Sequence, residues 1–155
     1  MALNLDSVGK SGPPSERTWT SSDVLLYALG VGAGQADAAS ELQFTTENSD
    51  GIALQVLPSF ANMLGFGGGM GMVGDFDLSA VLHGEQAFEY HRWPEVGDVL
   101  EGTTTITDVY EKERSNGGKL EFYVTETEWK DATTHDPVVT AIFTLVINVR
   151  PPKAD

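Results

Sequence analysis

The sequence predicts an α+β domain in which an antiparallel sheet wraps over helices supplied by the first half of the chain. Three observations carry this. Apolar residues before position 65 form short runs bounded by helix caps, glycines and prolines. From Leu82 onward, four long segments alternate with turn signals in the manner of a meander. Those segments are also rich in Val, Ile, Thr, Phe and Trp, which suit a pleated sheet with one buried face.

Residues 7 to 17 contain Gly9, Gly12, Pro13 and Pro14 and read as part of a leading loop over residues 1–19. Thr20, Ser21, Ser22 and Asp23 are N-cap candidates for a helix of about two turns through Val24–Leu29, stopped by Gly30, Gly32 and Gly34. Leu42, Phe44 and Thr46 alternate with Gln43 and Thr45, a period of two that predicts a strand over Glu41–Glu47. Ile52–Leu57 continues apolar to Pro58, which sits at a plausible first position of a second short helix ending at Gly65. The later strands are expected at Leu82–Tyr90, Val99–Tyr110, Lys119–Lys130 and Pro137–Val149. Asn116-Gly117 is the clearest hairpin signal among them.

At 155 residues the chain is expected to form one domain. Its formal net charge of −14, from nine Lys and Arg against 23 Asp and Glu, repels polyanions and argues against nucleic acid and acidic lipid surfaces. An anionic ligand would have to borrow positive charge from a partner. The chain has no cysteine, so disulfides, zinc thiolates and cysteine nucleophiles are excluded and a cytoplasmic setting is the default expectation. The first residues lack a basic start and an apolar run of roughly 7 to 15 residues, and no stretch approaches the ~20 apolar residues of a membrane helix.

Gly69-Met70-Gly71-Met72-Val73-Gly74 fits G-x-G-x-x-G. However, no strand leads into it, and Asp75 and Asp77 would set carboxylates where a pyrophosphate belongs. A loop is the better reading. The histidines stand at 83, 91 and 135, and no spacing among them suggests a metal site. His83 and Glu85 are two apart, and on a regular strand they would share a face as an acid/base pair. Against this, a histidine at a strand start usually has a structural role. Tyr27, Phe60, Met63, Leu64 and Phe66 are core candidates, with lining of an aliphatic tunnel as the functional alternative.

Three stretches resemble the MaoC-like hydratases, and specifically the N-terminal half of the two-domain hydratase 2 type of peroxisomal multifunctional enzyme type 2. They are Asp23-Val24-Leu25-Leu26-Tyr27-Ala28-Leu29-Gly30-Val31-Gly32-Ala33, Val56-Leu57-Pro58-Ser59-Phe60-Ala61, and Leu82-His83-Gly84-Glu85-Gln86 continuing to Tyr90-His91-Arg92-Trp93-Pro94. Gly97-Asp98 and Asp108-Val109-Tyr110-Glu111-Lys112 extend the likeness over nearly the whole chain. The resemblance implies a hot-dog fold, a long antiparallel sheet around a central helix, paired with a second hot-dog so that substrate lies between them. It also implies water addition to a trans-2-enoyl-CoA, giving a (3R)-3-hydroxyacyl-CoA.

In that family the reaction belongs to the other half, on Leu-Leu-Tyr-Arg-Leu-Ser-Gly-Asp-x-Asn-Pro-x-His. Set on this frame, Leu25, Leu26, Tyr27 and Leu29 coincide, whereas Gly32 falls where the Asp belongs and Asp37 where the His belongs. The resemblance therefore implies no catalytic residue here, and a pocket-forming subunit for a partner hot-dog that carries Asp-x-Asn-Pro-x-His. A bulky or steroid side-chain acyl group would suit such a subunit. Leu57, Phe60 and Met63 are the candidates for acyl lining, and His83 and Gln86 for the interface near the thioester. No metal and no cofactor are expected beyond the coenzyme A thioester as substrate. A homodimeric acyl-CoA binding module, a hot-dog thioesterase using His83 or Glu85, and a fragment of a longer two-domain enzyme are the alternatives.

Overall fold

Thr20 and Asp23 close a reciprocal capping box at the start of helix α1 (Ser21–Gly30). The Thr20 backbone N–H donates to the Asp23 carboxylate at 2.8 Å, and the Asp23 N–H donates to the Thr20 hydroxyl at 3.4 Å. The Thr20 N–H and, at 2.7 Å, the Thr20 hydroxyl both donate to the Asp23 carboxylate and hold its pKa below the usual value. The helix stops where Gly32 takes a left-handed φ of 101°, as the glycines predict. The structure, a computed structural model, describes residues 4–149 apart from 38, 48, 66–76 and 116.

The sheet has five antiparallel strands, β1 (Ser15–Thr18), β2 (Val81–Tyr90), β3 (Val99–Glu113), β4 (Lys119–Asp131) and β5 (Pro137–Val149), in the order β1-β3-β4-β5-β2. The four long strands match the sequence expectation. This is the hot-dog arrangement, with two short helical segments under the sheet, α1 and a 3-10 helix over Pro58–Leu64. Their buried Val24, Phe60, Ala61 and Leu64 pack with Leu100, Trp129 and Val139 of the sheet. Gly102 makes room for this packing, since a Cβ there would run into the Trp129 indole.

Two local expectations are corrected. Leu42–Thr45 forms a single helical turn, α2, and no strand: Phe44 N–H donates to Glu41 O and Thr46 N–H to Leu42 O, so local bonds satisfy the backbone. The leading loop is also partly ordered, with a 3-10 turn over Leu5–Ser7 and strand β1 over Ser15–Thr18. With Gly9 N–H donating to Ile106 O, Gly12 N–H to Thr104 O and Ile106 N–H to Lys10 O, these residues cover the outer edge of β3. The opposite edge is β2, paired among the described residues only with β5. Among the described residues no helix is long and apolar enough to cross a membrane. The Gly69–Gly74 run, Phe66 and Asn116 lie outside the described residues. Asn116's turn neighbour Gly117 holds φ at 80° between β3 and β4, where the hairpin was expected.

Candidate functional site

Cross-strand register decides which side chains face the helices. Rows across the inner face read Thr104, Thr127, Ala141, Phe88 and then Ile106, Thr125, Phe143, Gln86. Trp129, Val139 and Tyr90 form the row before them and are filled by core packing. The first of the two rows is built from small side chains except for Phe88. A hollow therefore opens beneath the 3-10 helix, a cavity of about 270 Å³ that the 3-10 helix roofs with Ala61, Asn62 and Gly65.

Burial grades along this cavity. His83, Asn62 and Gly65 are exposed and Gln86 half-buried, whereas Phe143, Ala141, Thr127 and Ala61 are buried, the last two at 3% and 2% exposure. The mouth thus opens between the β2 edge and the exposed Asn62 and Gly65 of the 3-10 helix, with the blind end at Ala61, Thr127 and Ala141. His83 packs edge-on against Phe143, with ring centroids 4.4 Å apart. Gln86 donates through Nε2 to the Ile142 carbonyl at 3.1 Å, leaving its amide oxygen as an acceptor. At the blind end the hydroxyls of Thr104 and Thr127 bond to each other at 2.7 Å.

A β-bulge sets the mouth. Between His83, opposite Leu145, and Glu85, opposite Thr144, the register shifts by one residue, so Gln86 rather than Glu85 returns to the inner face. The His83–Glu85 acid/base pair is therefore not formed, because the two side chains lie on opposite faces. Gly84 is the extra residue, and only glycine fits: a Cβ there would come within 2.6 Å of Val146 Cγ2 and 3.0 Å of Thr144 O.

The 3-10 helix separates this cavity from a second of about 300 Å³ lined by Arg17, Trp19, Tyr27, Phe60 and Met63 among others. At three residues per turn Phe60 and Met63 share one side, and Asn62 and Gly65 another. The candidates thus divide. His83 and Gln86 line the first cavity, Phe60 and Met63 the second, and Leu57 lines neither. Phe60 is wedged edge-on between Trp19 and Tyr27, while Met63 is 59% exposed.

Three side chains pin this wall by its carbonyls. Tyr90 donates its hydroxyl to Pro58 O, Tyr27 donates to Ser59 O at 2.8 Å, and Arg17 Nε donates to Leu64 O at 3.1 Å. Burial, with the Tyr27 phenol adding to it, raises the Tyr90 pKa, so Tyr90 stays a donor. The sequence reading missed Ala61, Asn62, Phe88, Thr127, Ala141 and Phe143. A glycine inside a strand pattern was the one available signal, for the bulge.

A family model described as the MFE-2 hydratase 2 N-terminal domain matches residues 18–148. The chain belongs to this family. Among curated relatives of this MFE-2 hydratase 2 N-terminal domain, it is 41% identical over 114 residues to the 3-hydroxyacyl-thioester dehydratase Y of Mycobacterium tuberculosis, covering 72% of this chain and 38% of that protein. Enoyl-CoA hydratase ChsH3 of the same organism is 33% identical over 149 residues, covering 88% and 46%. The domain thus spans less than half the length of these relatives. Among solved structures, full-length peroxisomal multifunctional enzyme type 2 from Drosophila melanogaster superposes with a TM-score of 0.68 at 23% identity, over 93% of this chain and 24% of that one. The HadBC (3R-hydroxyacyl-ACP dehydratase) complex of M. tuberculosis gives 0.68 at 20% identity, covering 93% and 99%. The ChsH1–ChsH2 complex of that organism gives 0.61 at 12%, covering 93% and 86%. At these identities the structural matches establish the fold.

Proposed function

We propose that this domain is the non-catalytic, acyl-pocket-forming half of an (R)-specific enoyl-CoA hydratase, with the reacting Asp and His supplied by a partner hot-dog. The carrying observation is the cavity's composition: His83 is the one titratable side chain lining it among the described residues, and no carboxylate joins it. Hydration moves one proton off the attacking water and another onto the α-carbon, which calls for two acid/base groups close together. Gly32 and Asp37, at the positions of the family's Asp and His, supply neither role. Gly32 holds a turn, and the Asp37 carboxylate accepts the Ala39 N–H at 2.9 Å within its own loop.

The acyl tail would enter past His83 and Gln86 and end at Ala61, Thr127 and Ala141, leaving the thioester at the mouth. That mouth lies on β2, an edge strand among the described residues, and a ten-residue edge strand is a ready template for a second sheet. Relatives named as dehydratases and hydratases, and fold neighbours crystallised as two-subunit complexes, support the reading. With a charge of −14 the domain leaves the coenzyme A phosphates to the partner's cations. We assign it no cofactor and a cytoplasmic setting. Phe60 and Met63, away from this cavity, fit the acyl-lining role only through the second one, and Leu57, which lines neither, does not fit it.

The test mixes the purified chain with an Asp-x-Asn-Pro-x-His hot-dog and follows crotonyl-CoA and longer enoyl thioesters. Turnover is expected from the mixture and not from this chain alone. Ordinary enzymatic turnover by the isolated chain would defeat the proposal.

A further inference from the structure

Resting on that reading, we infer that the blind end of the cavity selects acyl groups carrying a hydrogen-bond acceptor, such as a ketone oxygen, near their far end, through the hydroxyl of Thr127. The hydroxyls of Thr104 and Thr127 bring two protons, and the 2.7 Å bond between them uses one. Either hydroxyl can be the donor of that bond; with Thr104 donating, the second proton is Thr127's and has no acceptor among the described residues, although both threonines are buried, at 1% and 3% exposure. Thr127 lines the cavity, and the other described lining groups at that end, Ala61 and Ala141, are apolar.

A buried hydroxyl proton without an acceptor is costly, and once an acyl tail fills the blind end its apolar walls leave that proton an acceptor only when the ligand brings an oxygen. The remaining neighbours do not compete. Thr125 donates its own hydroxyl to Phe143 O at 3.3 Å, and Asn62 and Gln86 donate through their amide nitrogens to Ser59 O and Ile142 O, with no hydrogen bond from either to Thr127. At about 270 Å³ the cavity holds roughly nine water-sized volumes of about 30 Å³, the size range of an eight-carbon chain.

The probes are the octanoyl and 7-oxooctanoyl thioesters of N-acetylcysteamine, which are neutral and so avoid the chain's own field. Binding is read by calorimetry on the full chain and on Thr127→Val and Thr127→Ser. Thr127→Val keeps the shape and the β-branch and removes the donor, whereas Thr127→Ser keeps the donor. The expected result is that Thr127→Val weakens the oxo ligand about fivefold or more, the worth of one neutral hydrogen bond. It leaves the octanoyl ligand within about twofold, and Thr127→Ser retains the oxo ligand. Equal changes for both ligands, no change for either, or an oxo ligand that fails to bind where octanoyl does would overturn the inference. Failure of octanoyl itself to bind the unmodified chain would instead remove the acyl-cavity reading and this inference with it.

Discussion

His83 and Gln86 share the inner face of β2 although three positions separate them, because Gly84 is inserted as a bulge between their pairing rows. Any side chain at position 84 meets Val146 and the Thr144 carbonyl. Gly84→Val is therefore expected to cost about 1–3 kcal/mol in urea unfolding. If the strand escapes the clash by losing its bulge, His83 turns outward. Unchanged stability together with unchanged acyl binding would show that the bulge does not position the mouth.

Ala141 forms the cavity floor opposite Ala61. Ala141→Leu intrudes into the closed end of the cavity of about 270 Å³ and is expected to shift the preferred thioester toward shorter chains, with four-carbon ligands least affected. Comparing Kd along a series of N-acetylcysteamine thioesters checks this. A uniform loss at every length would mean that the tail does not end there.

Arg92 binds Asp98 through both nitrogens at 2.8 and 3.0 Å and reaches Asp131 at 3.3 Å, tying the β2–β3 loop to the β4–β5 turn. Lysine cannot reproduce this fork. Arg92→Lys is expected to lose about 1 kcal/mol of unfolding free energy, the pair being partly solvated. Equal denaturation midpoints for the two proteins would assign the ion pair no net worth.

Glu121 is 3% exposed on the inner face of β4, and burial, with Glu111 adding to it, raises its carboxyl above the usual 4.5. Folding then favours the protonated form. Its contribution is complete below the unfolded pKa and is lost as pH rises through the folded one. Glu121→Gln is expected to raise the melting temperature near pH 7 and to leave it almost unchanged near pH 4. A lower melting temperature at pH 7 would show that the ionised carboxylate is held by favourable contacts.

Particular residues show how far the sequence could be read. The β2 to β5 segments were legible because a period of two and a turn residue at each break are local properties of the chain. Leu42–Thr45 was not, since an alternation over so few positions fits a strand and a helical turn alike, and only the absence of a pairing neighbour decides between them. Strand β1 was hidden for the converse reason: Ser15–Thr18 has little strand pattern of its own and is ordered by β3 beside it.

By itself, the sequence determined the meander, the capped helix, the acidity, and the absence of an Asp and His from the reacting frame. It named the residues of the mouth, His83 and Gln86, without the means to show why they and not Glu85 point inward. Only the tertiary structure decided that, and decided that Phe60 and Met63 belong to a different cavity. It also brought Ala61, Thr127 and Ala141, up to 80 positions apart, to one blind end. The physical reason is register: which residues meet across neighbouring strands depends on where each ladder slips, and that is a property of the paired strands together rather than of any one of them.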